Sequence, residues 1–184
     1  MKKCMIAVTL AAAVMLVAAS CAVEAPVDEL AYEAQVDADF EAVVATLGTA
    51  DAAVEPAFLQ AGLETSLDLS FNRITMDGDS STNDTFLALA NGQAGNRRLT
   101  DEHPDAPAFR DAFTTLAGRL AREMVLDGEG VTRFVELCVT GARDNAQARR
   151  CAEAIANSLL CKTAWFGADP NWGRILCAAG YSGV

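Results

Sequence analysis

The chain has 184 residues, enough for one domain with a sizeable core, and is 52% hydrophobic against 21% charged. A formal net charge of −11 argues against nucleic acid and anionic membrane surfaces as partners. With one histidine, six cysteines and no CxxC pair, a Cys/His zinc site is not expected.

Residues 1–25 place Lys2 and Lys3 before an apolar run over 5–19, too short for a comfortable membrane span and laid out like a signal-peptide leader. Ala18-Ala19-Ser20-Cys21 resembles a lipoprotein cleavage box, while Ser20-Cys21-Ala22 and Val23-Glu24-Ala25 offer other small-residue sites. A buried or amphipathic helix is the competing reading. Residues 26–45 are acidic and rich in helix formers, which reads as a linker running into a short helix. The remainder, 46–184, reads as one domain.

A short helix is expected over 52–63, with Pro56 near its first turn. The stretch LSFNRITMDGDSSTNDTFLALANG follows. Residues 68–76 alternate apolar and polar side chains as a strand does, and Asp77-Gly78-Asp79 breaks that strand. Residues 80–84 are all able to cap a helix over 85–90, which Asn91-Gly92 would stop. Such a junction is either a well-capped connection or an anion site at a helix N-terminus. It is not a calcium loop: Thr82 stands where glycine is needed and Ala88 where a bidentate glutamate is needed.

Downstream, His103 sits among charged loop residues and is expected to be solvated rather than a base. Apolar residues from Phe109 to Met124 recur at helical spacing over 108–126, with Asp105 as cap and Pro107 in the first turn. Gly128-Glu129-Gly130 then turns the chain into a strand over 131–140. A second long helix is expected over 144–160, a short strand over 163–166, and a final helix opened by Asp169-Pro170 and ended by Gly180. Cys138, Cys161 and Cys177 lie in apolar runs and are expected to be buried, reduced thiols. Strands and helices mix without internal repeat, an α+β class. Flanking glycines leave Glu129 open to a ligand, but a solvated turn glutamate fits equally well.

SFNRITMDGDSSTNDTFLALANG resembles the corresponding segment of the β chain in the ornithine acetyltransferase (glutamate N-acetyltransferase) family of arginine biosynthesis. DAAVEPAFLQ at 51–60, VLDGEGVTRFVELCVTGA at 125–142 and IANSLLCKTAWFGADPNWGRILCAAGYSG at 155–183 match in the same order, about three quarters of the chain. The resemblance implies a layered helix/sheet sandwich, of which this chain is a β-chain part cut at both ends. It further implies acetyl transfer from N-acetylornithine, or from acetyl-CoA as co-substrate, to glutamate. The carrier is an ester on a threonine freed at its amine by self-cleavage of an Ala–Thr bond; no metal or bound cofactor is involved. By that resemblance Glu129 contacts substrate. Thr46, in the only Ala–Thr bond before the match, aligns with the nucleophile across a gap of about two residues.

Three departures qualify the carry-over. The family's Gly-Met-Ile-x-Pro-Asn-Met-Ala-Thr-Met segment is missing, the α portion has no counterpart, and the family continues past Val184. An α-type chain and further β-chain copies are therefore the expected partners. The family points to the cytoplasm or an organelle matrix, whereas the leader points to export or membrane anchoring. The competing readings are an exported or lipid-anchored binding protein without the chemistry, and an inactive fragment.

Overall fold

The structure, a computed structural model, describes residues 2–11, 14–20, 44–79 and 84–184. They fall into two compact units, one from the described parts of Met1–Ala31 with Glu129–Val184, the other from those of Tyr32–Gly128.

In the first unit, β1 (Lys2–Ala11) pairs antiparallel with β2 (Val14–Ser20) and parallel with β5 (Arg133–Thr140). The apolar stretch read as a leader is, over its described residues, these first two strands. Residues 21–43, which hold Cys21 and most of the acidic linker, lie outside the described residues. Three helices follow β5: α3 (Asn145–Ala156), α4 (Leu159–Phe166) and α5 (Trp172–Gly180). Every second side chain of β5 turns the same way, so Val135, Leu137 and Val139 pack on a core of Cys151, Ile155, Cys161, Trp165, Ile175, Ala178 and Ala179.

That alternation corrects one expectation: Cys138 falls on the other face of β5 and is exposed, as is Cys177, while Cys151 and Cys161 are buried. All four thiols are free. The long helix expected over 144–160 is also divided. It stops at Asn157, and the buried Ser158 hydroxyl accepts the Cys161 N–H to cap a new helix. Residues 163–166, expected as a strand, are the end of that helix. Pro170 does not open α5 either. Asn171 does, its side chain accepting the Arg174 N–H from a left-handed backbone with φ 28°. Arg174 then ties α5 to α4 through the Leu160 carbonyl at 2.9 Å.

The second unit begins with β3 (Val44–Ala50), where the end of the linker was expected as helix; β3 pairs parallel with β4 (Thr85–Ala90). Between them runs α1 (Pro56–Leu69), and after them α2 (Ala106–Leu126). Pro56 does stand in the first turn of α1, but the helix continues well past the expected 63. The strand expected over 68–76 is absent: α1 ends at Leu69, and Phe71–Arg73 form one 3-10 turn. Ser70, a polar position of the apparent alternation, is buried with its hydroxyl donating to the Ser66 carbonyl, so it points inward.

Residues 85–90 are likewise strand, not helix. A helix of six residues has too few hydrogen bonds to offset nucleation, whereas the β3 ladder satisfies this backbone at once. Phe86, Ala88 and Ala90 are half-buried and Thr85, Leu87 and Leu89 exposed, the period of a strand. The unit's core joins Phe58, Leu99 and Ala106 with Ala52, Val54 and Phe109. The aromatic rings run on from there. Phe58 to Phe109 is 5.7 Å between centroids and Phe109 to Phe113 6.0 Å, and the Arg110 guanidinium lies over the Phe58 ring at 4.7 Å. On α2, Ala106, Ala117 and Ala121 are buried, while the larger Leu116 and Met124 remain exposed.

Candidate functional site

Glu129 stands exposed in the turn between α2 and β5. Gly130 has φ +67°, and a Cβ built there would meet nothing within 4 Å, so the space beside the glutamate is open. Thr46 lies inside β3, its Cα paired with that of Leu87 in β4, one step before an irregularity between Leu47 and Thr49. Thr46 belongs to the second unit and Glu129 to the first.

Near Thr46 the second unit has a cleft of about 270 Å³ between α1 and β4, lined by Leu59, Gln60, Leu63, Phe86 and Leu87 among others. Its walls expose polar and apolar surface in nearly equal parts, and the Gln60 carboxamide donates to Glu64 at 2.9 Å. The β4 wall was missed because residues 85–90 were read as a helix, whereas the α1 wall falls within the helix expected over 52–63, although α1 itself runs on to Leu69. Its buried Phe58, Gly62 and Ser66 recur at four-residue spacing, the signal that could have shown the longer helix.

The helix expected over 85–90 is not formed, and with it goes the anion site that was one of the two readings of this junction, because β4 has no helical N-terminus to present. Residues 80–83 lie outside the described residues; Asp77-Gly78-Asp79 is the expected turn, with Gly78 at φ 88° and the Asp79 N–H donating to Asp77 Oδ1. His103 is not solvated as expected: its side chain is only 10% exposed, and Nδ1 accepts the Asp105 N–H at 3.1 Å, just before α2. A ring nitrogen bound to backbone at a helix entry is a structural acceptor.

Two carboxyls lie below the ordinary range for structural reasons. The Gln147 N–H, with Arg143, lowers Asp144 at the cap of α3, and the Asn171 side chain and N–H lower Asp169 before α5. Burial raises the Cys151 thiol. Among the described residues no three His, Cys, Asp or Glu side chains gather as metal ligands, and no helix is long and apolar enough to cross a membrane.

Comparison with known proteins places these elements. The ArgJ family model matches residues 41–184. The arginine biosynthesis bifunctional protein ArgJ of Geobacter sulfurreducens is 52% identical over 134 residues, 73% of this chain and 34% of that protein. The mitochondrial ArgJ of Chaetomium globosum is 51% identical over 132 residues, 72% of this chain and 28% of that protein. A crystal structure of the Bacillus halodurans ArgJ protein aligns with TM-score 0.71 and 46% identity, over 75% of this chain and 65% of that one. The chain thus spans about a third of the length of its sequence relatives. The shared segments include both glycine-flanked Glu129 and the strand–helix framework around the cleft, and the chain belongs to the ArgJ family.

Proposed function

We propose that this chain takes part in acetyl transfer in arginine biosynthesis, from N-acetylornithine or acetyl-CoA to glutamate, as a β-type part working with an α-type chain and further β-type copies. The observation that carries the reading is the match over residues 41–184, which holds the Asp-Gly-Glu-Gly segment with Glu129 exposed beside open space. In this reading the Ala45–Thr46 bond is cut and the new α-amino group is the base for the Thr46 hydroxyl. The hydroxyl oxygen attacks the acetyl carbonyl, its proton passes through that amine to the departing ornithine nitrogen, and the ester forms. The amine of glutamate then attacks the ester, its proton returns to the threonine oxygen, and N-acetylglutamate leaves. Glu129 offers a carboxylate to the cationic amine of the amino-acid substrate. A cut at Ala45–Thr46 leaves the pairing from Thr46 with Leu87 to Ala50 with Ala90 available to β4. The place of action is the cytoplasm or an organelle matrix, in keeping with the mitochondrial name of one relative.

Two measurements test this. Intact mass of the chain co-produced with an α-type chain of a relative should show a species beginning at Thr46. Acetyl transfer from N-acetylornithine to glutamate should accompany it and fall in Glu129→Gln, mainly through KM. A chain never cut there, with no transfer in any pairing, overturns the reading.

A further inference from the structure

Strand β4 ends at Asn91-Gly92, and both polar atoms of the Asn91 side chain are held. Nδ2 donates to Asp51 Oδ1 at 2.8 Å, and Oδ1 accepts the Gln93 N–H at 2.9 Å. The Asn91 N–H donates to the Ala50 carbonyl at 3.0 Å, so the residue latches the end of β4 to the end of β3. Asparagine before glycine is chemically labile, because the next backbone nitrogen can attack the side-chain carbonyl and glycine has no Cβ to shield it. Here the turn closed by Oδ1 and the Gln93 N–H folds the side chain back over the Gly92 peptide. The same N–H is placed to stabilise charge on Oδ1 as the carbonyl becomes tetrahedral. Both residues are exposed, so water reaches the product.

We infer that Asn91 is a site of spontaneous deamidation that releases β4 from β3. The Gly92 nitrogen gives its proton to solvent base and bonds to Asn91 Cγ; the Cγ–Nδ2 bond breaks, and the nitrogen takes up a proton and leaves as ammonia. Water opens the succinimide at either carbonyl, giving aspartate or isoaspartate, with no change in oxidation state. A carboxylate then faces Asp51 where a donor had been, and the attraction becomes a repulsion. The isoaspartate product also lengthens the main chain by one carbon at the turn.

Asn96 is a control within the same tryptic peptide, 74–97. Its Oδ1 accepts the Ala53 N–H at 2.8 Å, its Nδ2 donates to the Arg97 carbonyl at 2.8 Å, and it precedes an arginine. The full chain is incubated in mildly alkaline buffer and that peptide is followed by tandem mass spectrometry. Asn91 is expected to convert at least about tenfold faster than Asn96, with both acid isomers formed. Equal rates overturn the assignment. For the latch, Asn91→Asp should lower the melting midpoint, and the double variant Asn91→Asp with Asp51→Asn, which restores an amide–carboxylate pair, should recover it. A single variant that melts like the unmodified chain, or a double variant no better than the single, overturns the release.

Discussion

The two units bury their side chains in different ways. In the first, one face of β5 meets three helices, and Cys151, Ile155, Cys161, Ile175 and Ala178 have no solvent exposure. In the second, a two-stranded sheet leaves Leu87 and Leu89 exposed at 43% and 54%, and cohesion rests on a row of aromatic rings running from Phe58 through Phe109 to Phe113. Close packing of small and branched residues makes a core that tolerates little change of volume. A few large rings concentrate stability in few residues. The cleft lies in the second kind of unit, between α1 and β4, where packing is less complete.

Both tryptophans lie in the first unit, so their fluorescence reports that unit while far-ultraviolet circular dichroism reports both. Phe58→Ala removes the ring that Phe109 and Arg110 share and is expected to cost about 3–5 kcal/mol. It should shift the dichroism transition in denaturant and leave the tryptophan midpoint in place; the contrast breaks if the two move together. Ile155→Ala should do the reverse, costing about 2–5 kcal/mol and moving the fluorescence transition. A loss below about 1 kcal/mol, the scale of a single methylene, would mean that this core relaxes around the void.

Smaller effects sharpen the picture of the first unit. Ser158→Ala removes the cap that starts α4 and should cost about 1 kcal/mol by the same fluorescence measurement. Acid sensitivity is the smallest effect. Asp144 and Asp169 have lowered folded values, so their bonds favour the fold above the unfolded carboxylate range and are lost as pH falls through the folded values. Asp144→Asn with Asp169→Asn should therefore flatten the decline of stability below about pH 4. An unchanged slope would show that these caps contribute nothing to acid unfolding.

Local backbone chemistry was legible in the residues. Glycines at 78, 92 and 130 do adopt positive φ at the ends of elements, and Pro107 does stand in the first turn of α2. These signals depend only on neighbours in the chain, so no partner is needed to read them. Four ordered blocks also pointed to the family, because a long shared string is specific where a short motif is not. Of the candidate site, Glu129 was singled out by its glycines and its block, and the structure gives it an exposed place in the turn.

What the residues could not settle were choices between two satisfactory local states. Phe-Leu-Ala-Leu-Ala serves a strand or a helix, and β3, separated from it by the whole of α1, makes it a strand by satisfying its backbone. Ser70 read as the polar side of a strand, yet it is buried at the end of α1 with its hydroxyl on the Ser66 carbonyl. An apolar run around Cys138 was mistaken for burial, because which face of β5 the helices cover is set by Val135, Leu137 and Val139 packing on them. The cleft joins α1 to β4, segments whose ends are brought together only by the parallel crossover between β3 and β4. Chain neighbours fix turns and caps through short, strong hydrogen bonds. Ladders and faces depend on which distant segment arrives to share them, and that is a property of the folded whole.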